Sequence, residues 1–550
     1  MSTVRLDIDN RIIEVEKGQT ILEVLNECGI NVPTLCYMKK YSPQGACRLC
    51  VVEVEGEQDL IPSCSHIAED GMKVKTHSAR VLQARRVLVQ MLLANHPDDC
   101  LYCEKNKKCE LQSLAESLGV LERRNRKPFT SKKLDLSSPS IVHDPDKCVL
   151  CGRCVRVCET EMLVSAVNFT SRGDRTQVEA PFSAGLNFSD CIHCGLCIRM
   201  CPTASLRDKN RVNDIIEALN NQDSRVIINY SPAVAYTIAH YFNIRNKREA
   251  FGLLNSSLRN IGFYRVFDGT AGIDLSMWRI ASELKERIDN GEGLPLISTL
   301  CPSWTKYAES FHPNLKQNMS VTSSGQQILG KLIKRDFARH NNINSENIVN
   351  VSVQTCTSGK YLADKPQMTT SGIHDIDIVI TTRELVQMIQ LFGIDLDKSS
   401  VSNADTPFNT KSTSAMLSNV VGGTTEGILR TLYYLISGED FKGDKMIDFK
   451  QSDGYKIHEI KIADSRFKVA IVNGLKYFEL MLKEIDISEL LFIEITVCEN
   501  GCVNGGGQPL SLDEKICKSI SREFMKIDEN DVISVSYKNP EIQPYIKSDE

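Results

Sequence analysis

The sequence predicts a multidomain protein, with small α+β domains in front and a two-lobed α/β domain behind. Three observations carry this. All but five of the 21 cysteines lie before residue 202, bunched at short spacings. Apolar and polar residues alternate over Thr3–Asp9 and Arg11–Val15, the period of half-buried strands. From Arg225 onward short apolar runs alternate with helical patterns, the rhythm of parallel sheets covered by helices. A chain of 550 residues divides into about three to five domains. Composition and motif shifts set the expected limits at 1–80, 81–135, 136–210 and 211–550.

Composition excludes several classes of partner. A net charge of −5 and a pI near 6.1 give no broad attraction for nucleic acid or anionic membrane. No apolar run approaches the roughly 18 residues that span a bilayer. The acids and alternation of Met1-Ser-Thr-Val-Arg-Leu-Asp-Ile-Asp-Asn are unlike a signal or transit peptide, so a cytoplasmic location is expected. In a long chain of this kind, bunched cysteines read as metal ligands rather than disulfides.

Residues 1–80 open with the two strands, joined at a hairpin turn Asp9-Asn10, and continue into a helix around Thr20–Asn26. Cys36, Cys47, Cys50 and Cys64 follow, within Gly45-Ala-Cys47-Arg-Leu-Cys50-Val-Val-Glu-Val and Pro62-Ser-Cys64. This set resembles a plant-type 2Fe–2S ferredoxin in a β-grasp domain; structural zinc is the rival use of four thiolates. Cys28 falls outside the set and reads as a packed, inert thiol. In 81–135, His96 stands four residues before Cys100-x2-Cys103-x5-Cys109. That spacing suits a His/Cys 4Fe–4S site, with Cys3His zinc as the alternative. The run Lys105–Lys108 reads as a solvated loop, or as a docking patch for an acidic ferredoxin.

Two near-repeats occupy 136–210: Cys148-x2-Cys151-x2-Cys154-x3-Cys158 and Cys191-x2-Cys194-x2-Cys197-x3-Cys201-Pro202. This is the two-cluster ferredoxin run, in which each fourth cysteine serves the other cluster. Cys201 is therefore expected with Cys148, Cys151 and Cys154, and Cys158 with Cys191, Cys194 and Cys197. His193 reads as a pocket or surface residue. Adjacent sites without a substrate pocket are an electron conduit.

After a connecting helix over Arg211–Asn220, strands are expected at Val226–Tyr230, Leu296–Leu300, Ile348–Gln354, Ile376–Ile380, Phe467–Val472 and Leu491–Val497. Cys301, Cys356, Cys498 and Cys502 follow three of these strand ends, where open α/β sheets place their sites. Four such thiols imply one more cubane between the lobes. Cys517, in a helical pattern, is left over. Trp278 and Trp304 read as core aromatics, and the polar stretch Ser399–Ser414 as a surface loop.

At these residues the chain resembles the iron-only (FeFe) hydrogenase family with its clostridial-type domain set. The resemblance rests on Ser231-Pro-Ala-Val, Cys301-Pro-Ser-Trp304, Cys356-Thr357, Asp377-Ile-Val-Ile-Thr381-Thr382-Arg383-Glu384-Leu385, Glu426-Gly-Ile-Leu-Arg430-Thr431, Gly505-Gly-Gly-Gln-Pro509 and Asn539-Pro-Glu-Ile-Gln-Pro-Tyr545. It implies one 2Fe–2S and four 4Fe–4S clusters. The last is joined through Cys502 to a diiron unit bearing CO, cyanide and a bridging dithiolate, where H2 is formed or split. It also implies a small electron carrier such as ferredoxin, or a flavin- or NAD(P)H-oxidising partner subunit.

The chain departs from the family pattern around that unit. Leu300 stands where the family has its proton-relaying cysteine, Gly359 where it has the lysine that holds a cyanide, and Thr496 where it has a methionine. Ile280 replaces a relay glutamate, although Glu283 and Ser320 are kept; Arg279 adds a charge, and Ser418 replaces an aromatic. Lys360 matches the second lysine of the family motif, and replaces the first only if the backbone shifts. Three readings follow: slow or altered hydrogen turnover using Thr299, Thr496 or water as relay; an H2-responsive or electron-relay protein; or a reductase of another substrate.

Overall fold

The computed structural model describes residues 3–122, 131–443, 445–448, 454–527 and 533–549. Alternation in the first residues produces an antiparallel hairpin, Thr3–Ile8 with Arg11–Glu16, turned at Asp9 and Asn10 in left-handed conformations. Thr3–Ile8 then pairs in parallel with Lys73–Lys75, which lies antiparallel to Val51–Val54. Helix Ile21–Glu27 packs Leu22, Val24 and Leu25 on this sheet. It starts at Thr20, which exchanges side-chain hydrogen bonds with Glu23, satisfying two free amide donors at once. Cys28 ends the helix exposed, not packed as expected. Its side chain falls past the last turn, off the apolar face.

Helix Ala79–Ala94 leaves this domain with Arg85 fully buried, donating to the carbonyls of Leu49 (3.1 Å) and Val51 (2.8 Å). In the twin-repeat domain, strands Ile141–His143 and Leu206–Asp208 pair antiparallel and bring the two ends of the repeat together. Each repeat enters a short helix, Arg153–Arg156 or Leu196–Met200, through a left-handed glycine, Gly152 or Gly195.

The large domain holds two four-stranded sheets. The first runs Arg265–Asp268, Arg225–Tyr230, Ile348–Gln354 and Ile378–Thr381, all parallel. The second runs Leu296–Ile297, Phe492–Thr496, Ser465–Asn473 and Gly454–Ile462, parallel except for its last hairpin. Two of these strands, Arg265–Asp268 and Gly454–Ile462, were not anticipated. The first is only four residues long, and the second alternates at a half-buried edge. Residues 296–300 do not form one strand: pairing stops at Ile297, and helix Pro302–Phe311 starts right after Cys301 with proline in its first turn.

Trp304 is fully buried against Phe478, ring centres 4.6 Å apart, and Trp278 is also in the core. The stretch 399–414 is not simply a surface loop. Phe408 is buried, Arg259 holds Ser402 and Asn403, and Ser412–Ser414 are buried where helix Thr413–Leu417 begins. Polar composition misleads here because hydroxyls are paired internally: Ser412 donates to the buried Asp274 carboxylate. Lys105 is buried rather than solvated, its Nζ donating to the Cys201 carbonyl. Among the described residues no helix is long and apolar enough to cross a membrane.

Gly506 packs directly on the Cys194 carbonyl and the Gly195 backbone, and a Cβ there would collide with both. Gly506→Ala is therefore expected to lower stability by roughly 1–3 kcal/mol, the usual cost of overpacking, read as a lowered denaturation midpoint of the large domain.

Candidate functional site

The crevice site grows out of three strand ends. Cys301 follows the short strand Leu296–Ile297, Cys356 follows Ile348–Gln354, and Cys498 and Cys502 lie beyond Phe492–Thr496. All four line one cavity of about 160 Å³ between the lobes. Cys502 is exposed by surface area, yet the surface it exposes is the wall of this cavity. Burial pushes the Cys498 thiol up, with Cys301 and Cys356 adding to the shift. Cys502 is pushed well up by burial, then by Cys356, Cys301 and Cys498. Cys301, Cys498 and Cys502 thus each feel their companions. Four thiolates cannot share so dry a place without cationic metal to offset them, and that donor set suits a cubane.

The other thiols also gather in sets. Cys36 lies within hydrogen-bonding reach of Cys47, and Cys50 of Cys64, and the second pair senses the first. Cys148, Cys151, Cys154 and Cys201 line one small cavity; Cys158, Cys191, Cys194 and Cys197 line another. Cys100 and Cys103 flank the turn Cys100–Tyr102, Cys109 senses Cys103, and His96 is buried just ahead of them. Among the described residues no three His, Cys, Asp or Glu side chains are placed to hold a single metal ion. Thiolates around a cluster bind separate irons.

The sets are held against one another by cations clamped on backbone carbonyls. Arg156 donates to the carbonyls of Cys36 and Ser42. Arg199 reaches the carbonyls of Asn504 and Leu512 at 2.9 Å each. Arg383 pairs with Asp208 at 2.6 Å and donates to the carbonyls of Gly506 and Gln508. Thr357, beside Cys356, donates to the His193 carbonyl at 2.6 Å. His193 itself is buried and stacked on Tyr361, ring centres 4.4 Å apart.

Of the remaining residues singled out above, Leu300, Thr496 and Ser418 line the cysteine cavity. Thr496 shares its hydroxyl between Val472 O and Asn473 Oδ1 at 3.3 Å. Glu283 accepts from Ser320 at 2.6 Å and pairs with Arg287 at 2.7 Å, but it opens on a separate surface cavity. Ile280 is packed into the main core and Arg279 is half-buried on the same helix. Gly359 sits where a Cβ would press on Gln354 and Gln326. Lys360 does not turn toward it. Its buried Nζ is held by Glu384 at 2.7 Å and by the Lys209 carbonyl at 2.6 Å.

One feature of the wall went unread in the sequence. Asn350, Ser352 and Gln354 occupy alternate positions of a buried strand, a polar stripe at period two that could have signalled it. Asn350 Nδ2 donates to the Asp375 carbonyl (2.7 Å), and Asn229 Nδ2 donates to Asn350 Oδ1 (3.0 Å). Ser352 Oγ donates to Asn229 Oδ1, and Gln354 Nε2 to Ser352 Oγ, at 2.9 Å each. A backbone carbonyl can only accept, so its anchor at Asp375 orients every amide in the row. Gln354, at the end of the row, gives one of its two amide N–H groups to Ser352 and lines the cavity.

Residues 224–506 match the family described as iron only hydrogenase large subunit, C-terminal domain. Residues 1–79 match a 2Fe–2S iron–sulfur cluster binding domain, 85–124 an NADH-ubiquinone oxidoreductase-G iron–sulfur binding region, and 147–205 a 4Fe–4S dicluster domain. The NADP-reducing hydrogenase subunit HndD of Solidesulfovibrio fructosivorans is 34% identical, over 98% of this chain and 95% of its own length. Iron hydrogenase 1 of Clostridium pasteurianum is 33% identical, over 90% of this chain and 87% of its own. The structure of an apo FeFe-hydrogenase HydA1 variant from Chlamydomonas reinhardtii is similar with a TM-score of 0.55 at 26% identity, covering 62% of this chain and 94% of that one. Anaerobically reconstituted protein is expected to carry about 18 irons, as one 2Fe–2S and four 4Fe–4S clusters. An iron content near four per chain, or zinc in its place, is the contrary result.

Proposed function

This chain belongs to the iron-only hydrogenase family, and we propose that it passes electrons through four accessory clusters to a hydrogen-converting site whose proton supply has been altered. The observation that carries the reading is the cavity itself: four thiols on one side, Leu300 on the wall, and no lysine, arginine or histidine among the residues that line it. When bound, the cluster joined through Cys502 supplies an electron-rich iron centre for making or splitting H2. Everything else falls to the chain's own groups.

Leu300 has no exchangeable proton, and the buried apolar Ile280 adds none. The outer pair, Ser320 and Glu283, stays hydrogen-bonded, but neither residue lines the cysteine cavity. Among the described residues Glu494 is the one carboxylate at the cavity wall. Its oxygens already accept from the backbone of Gly422 (2.9 Å) and from Thr425 (2.7 and 2.6 Å), so it caps a helix rather than relays. A well-placed relay is typically worth ~10²–10⁴-fold in rate, and its loss makes turnover slow.

A second reading, an electron-relay or H2-sensing protein, is favoured by the missing cation. With Gly359 in place of a lysine and Lys360 tied to Glu384, no ammonium holds a cyanide, and a charge-assisted hydrogen bond of about 1.5–3 kcal/mol is forgone. Likeness over nearly the full length to an NADP-reducing hydrogenase subunit supports a partner subunit that exchanges electrons with a pyridine nucleotide; ferredoxin is the other electron carrier proposed.

Two measurements separate the readings. Infrared spectra of matured protein are expected to show bound CO and cyanide; their absence leaves the electron relay, or a reductase of another substrate. In protein that shows those bands, Leu300→Cys combined with Ile280→Glu is expected to raise H2 evolution by roughly 10²–10⁴-fold, and Leu300→Cys alone by less. An unchanged rate in both variants would remove the severed relay.

A further inference from the structure

Lys105 lies between Cys103 and Cys109 in sequence, and its side chain turns into the protein. Nζ donates to the carbonyl of Cys201, the residue that closes the set Cys148, Cys151, Cys154 and Cys201. The same joint is sealed by the Glu110 amide donating to the Pro202 carbonyl (3.0 Å) and by Arg207 paired with Glu104 (2.7 Å). A buried ammonium costs several kcal/mol unless opposite charge stands close. Here Cys103 and Cys109 bracket Lys105 in its own loop and Cys201 accepts its hydrogen bond through the carbonyl, so it stands between two separate thiol sets.

We propose that Lys105 is a positioning residue for electron transfer: a fixed positive charge in the joint between the His96/Cys100/Cys103/Cys109 set and the Cys148/Cys151/Cys154/Cys201 set. It rests on those thiols holding clusters, as in the reading above, but not on any diiron unit. Reduction adds negative charge to a cluster. A cation in a water-poor joint stabilises the reduced state more than the oxidised one, so the potential rises. Lys105 thereby favours an electron resting on either side of this joint. A purely mechanical clamp would hold the loop on Cys201 and leave the potentials alone.

The test is a redox titration followed by electron paramagnetic resonance on the full-length reconstituted chain, with Lys105→Gln, Lys105→Met and Lys105→Arg beside the native protein. Lys105→Gln keeps a hydrogen-bond donor and drops the charge; Lys105→Arg keeps both. With iron content retained, the first two are expected to shift the 4Fe–4S midpoints at this joint downward. The shift is at least tenfold in the one-electron equilibrium, which is 59 mV. Lys105→Arg is expected to restore the native values, and the 2Fe–2S midpoint in the first domain to stay put. Native midpoints in Lys105→Gln would overturn the proposal, as would an equal shift of the 2Fe–2S centre. Iron lost from Lys105→Gln but kept in Lys105→Arg would also overturn it, since that marks a clamp. If Lys105→Met alone loses iron, the Lys105→Gln midpoints decide.

Discussion

Cys301, Cys356, Cys498 and Cys502 arrive from three strand ends in two lobes and meet in one enclosed space. Sulfur packed so deeply resists ionising, and only metal cations return the cost of charging four thiols together. Much around the crevice follows from that requirement. The glycine run brings backbone close where side chains would not fit: Gly505 packs on the Thr355 carbonyl and Gly506 on the Cys194 carbonyl. The loop that carries Cys502 is thereby laid directly on the last accessory thiol set.

The same electrostatic logic explains how the domains are joined. Loops that ligate clusters turn their carbonyls outward, and those carbonyls need donors once they are buried at a domain boundary. Arg156, Lys105, Arg199 and Arg383 supply them. A cation is a better donor here than a neutral group because it also offsets the anionic thiolates on either side. The exposed pair Lys40–Glu499, 2.5 Å long, links the first domain to the residue after Cys498. Screened by solvent, it contributes little beyond register.

On this scaffold the cavity wall is lined by side chains that also pack the fold. Leu300 fills the wall with apolar bulk, and Gly359 leaves room taken by Gln354 and Gln326. Lys360 does structural work, tying helix Ser358–Ala363 to the capping residue Glu384. The row Asn350, Asn229, Ser352 and Gln354 is hydrogen-bonded end to end, from the Asp375 carbonyl to the Gln354 amide at the cavity wall.

Local spacing made much of this legible beforehand. Cys-x2-Cys loops, the twin run ending at Cys201-Pro202 and the helix around Thr20–Asn26 are set by geometry within a few residues, so they can be read without a fold. Apolar runs likewise marked Arg225–Tyr230 and Ile378–Thr381, because a strand buried on both faces has few polar alternatives. Other features depended on partners far away in the chain. That Lys105 lies buried on Cys201, that Ser412 pairs with Asp274, and that Lys360 is bound to Glu384 cannot be inferred from composition. A lysine or serine is polar wherever it stands, and only packing decides whether water or a distant carboxylate satisfies it. The sequence by itself determined which atoms are available to bind iron; the tertiary structure decided which of its charges are kept from solvent, and so which can act on that iron.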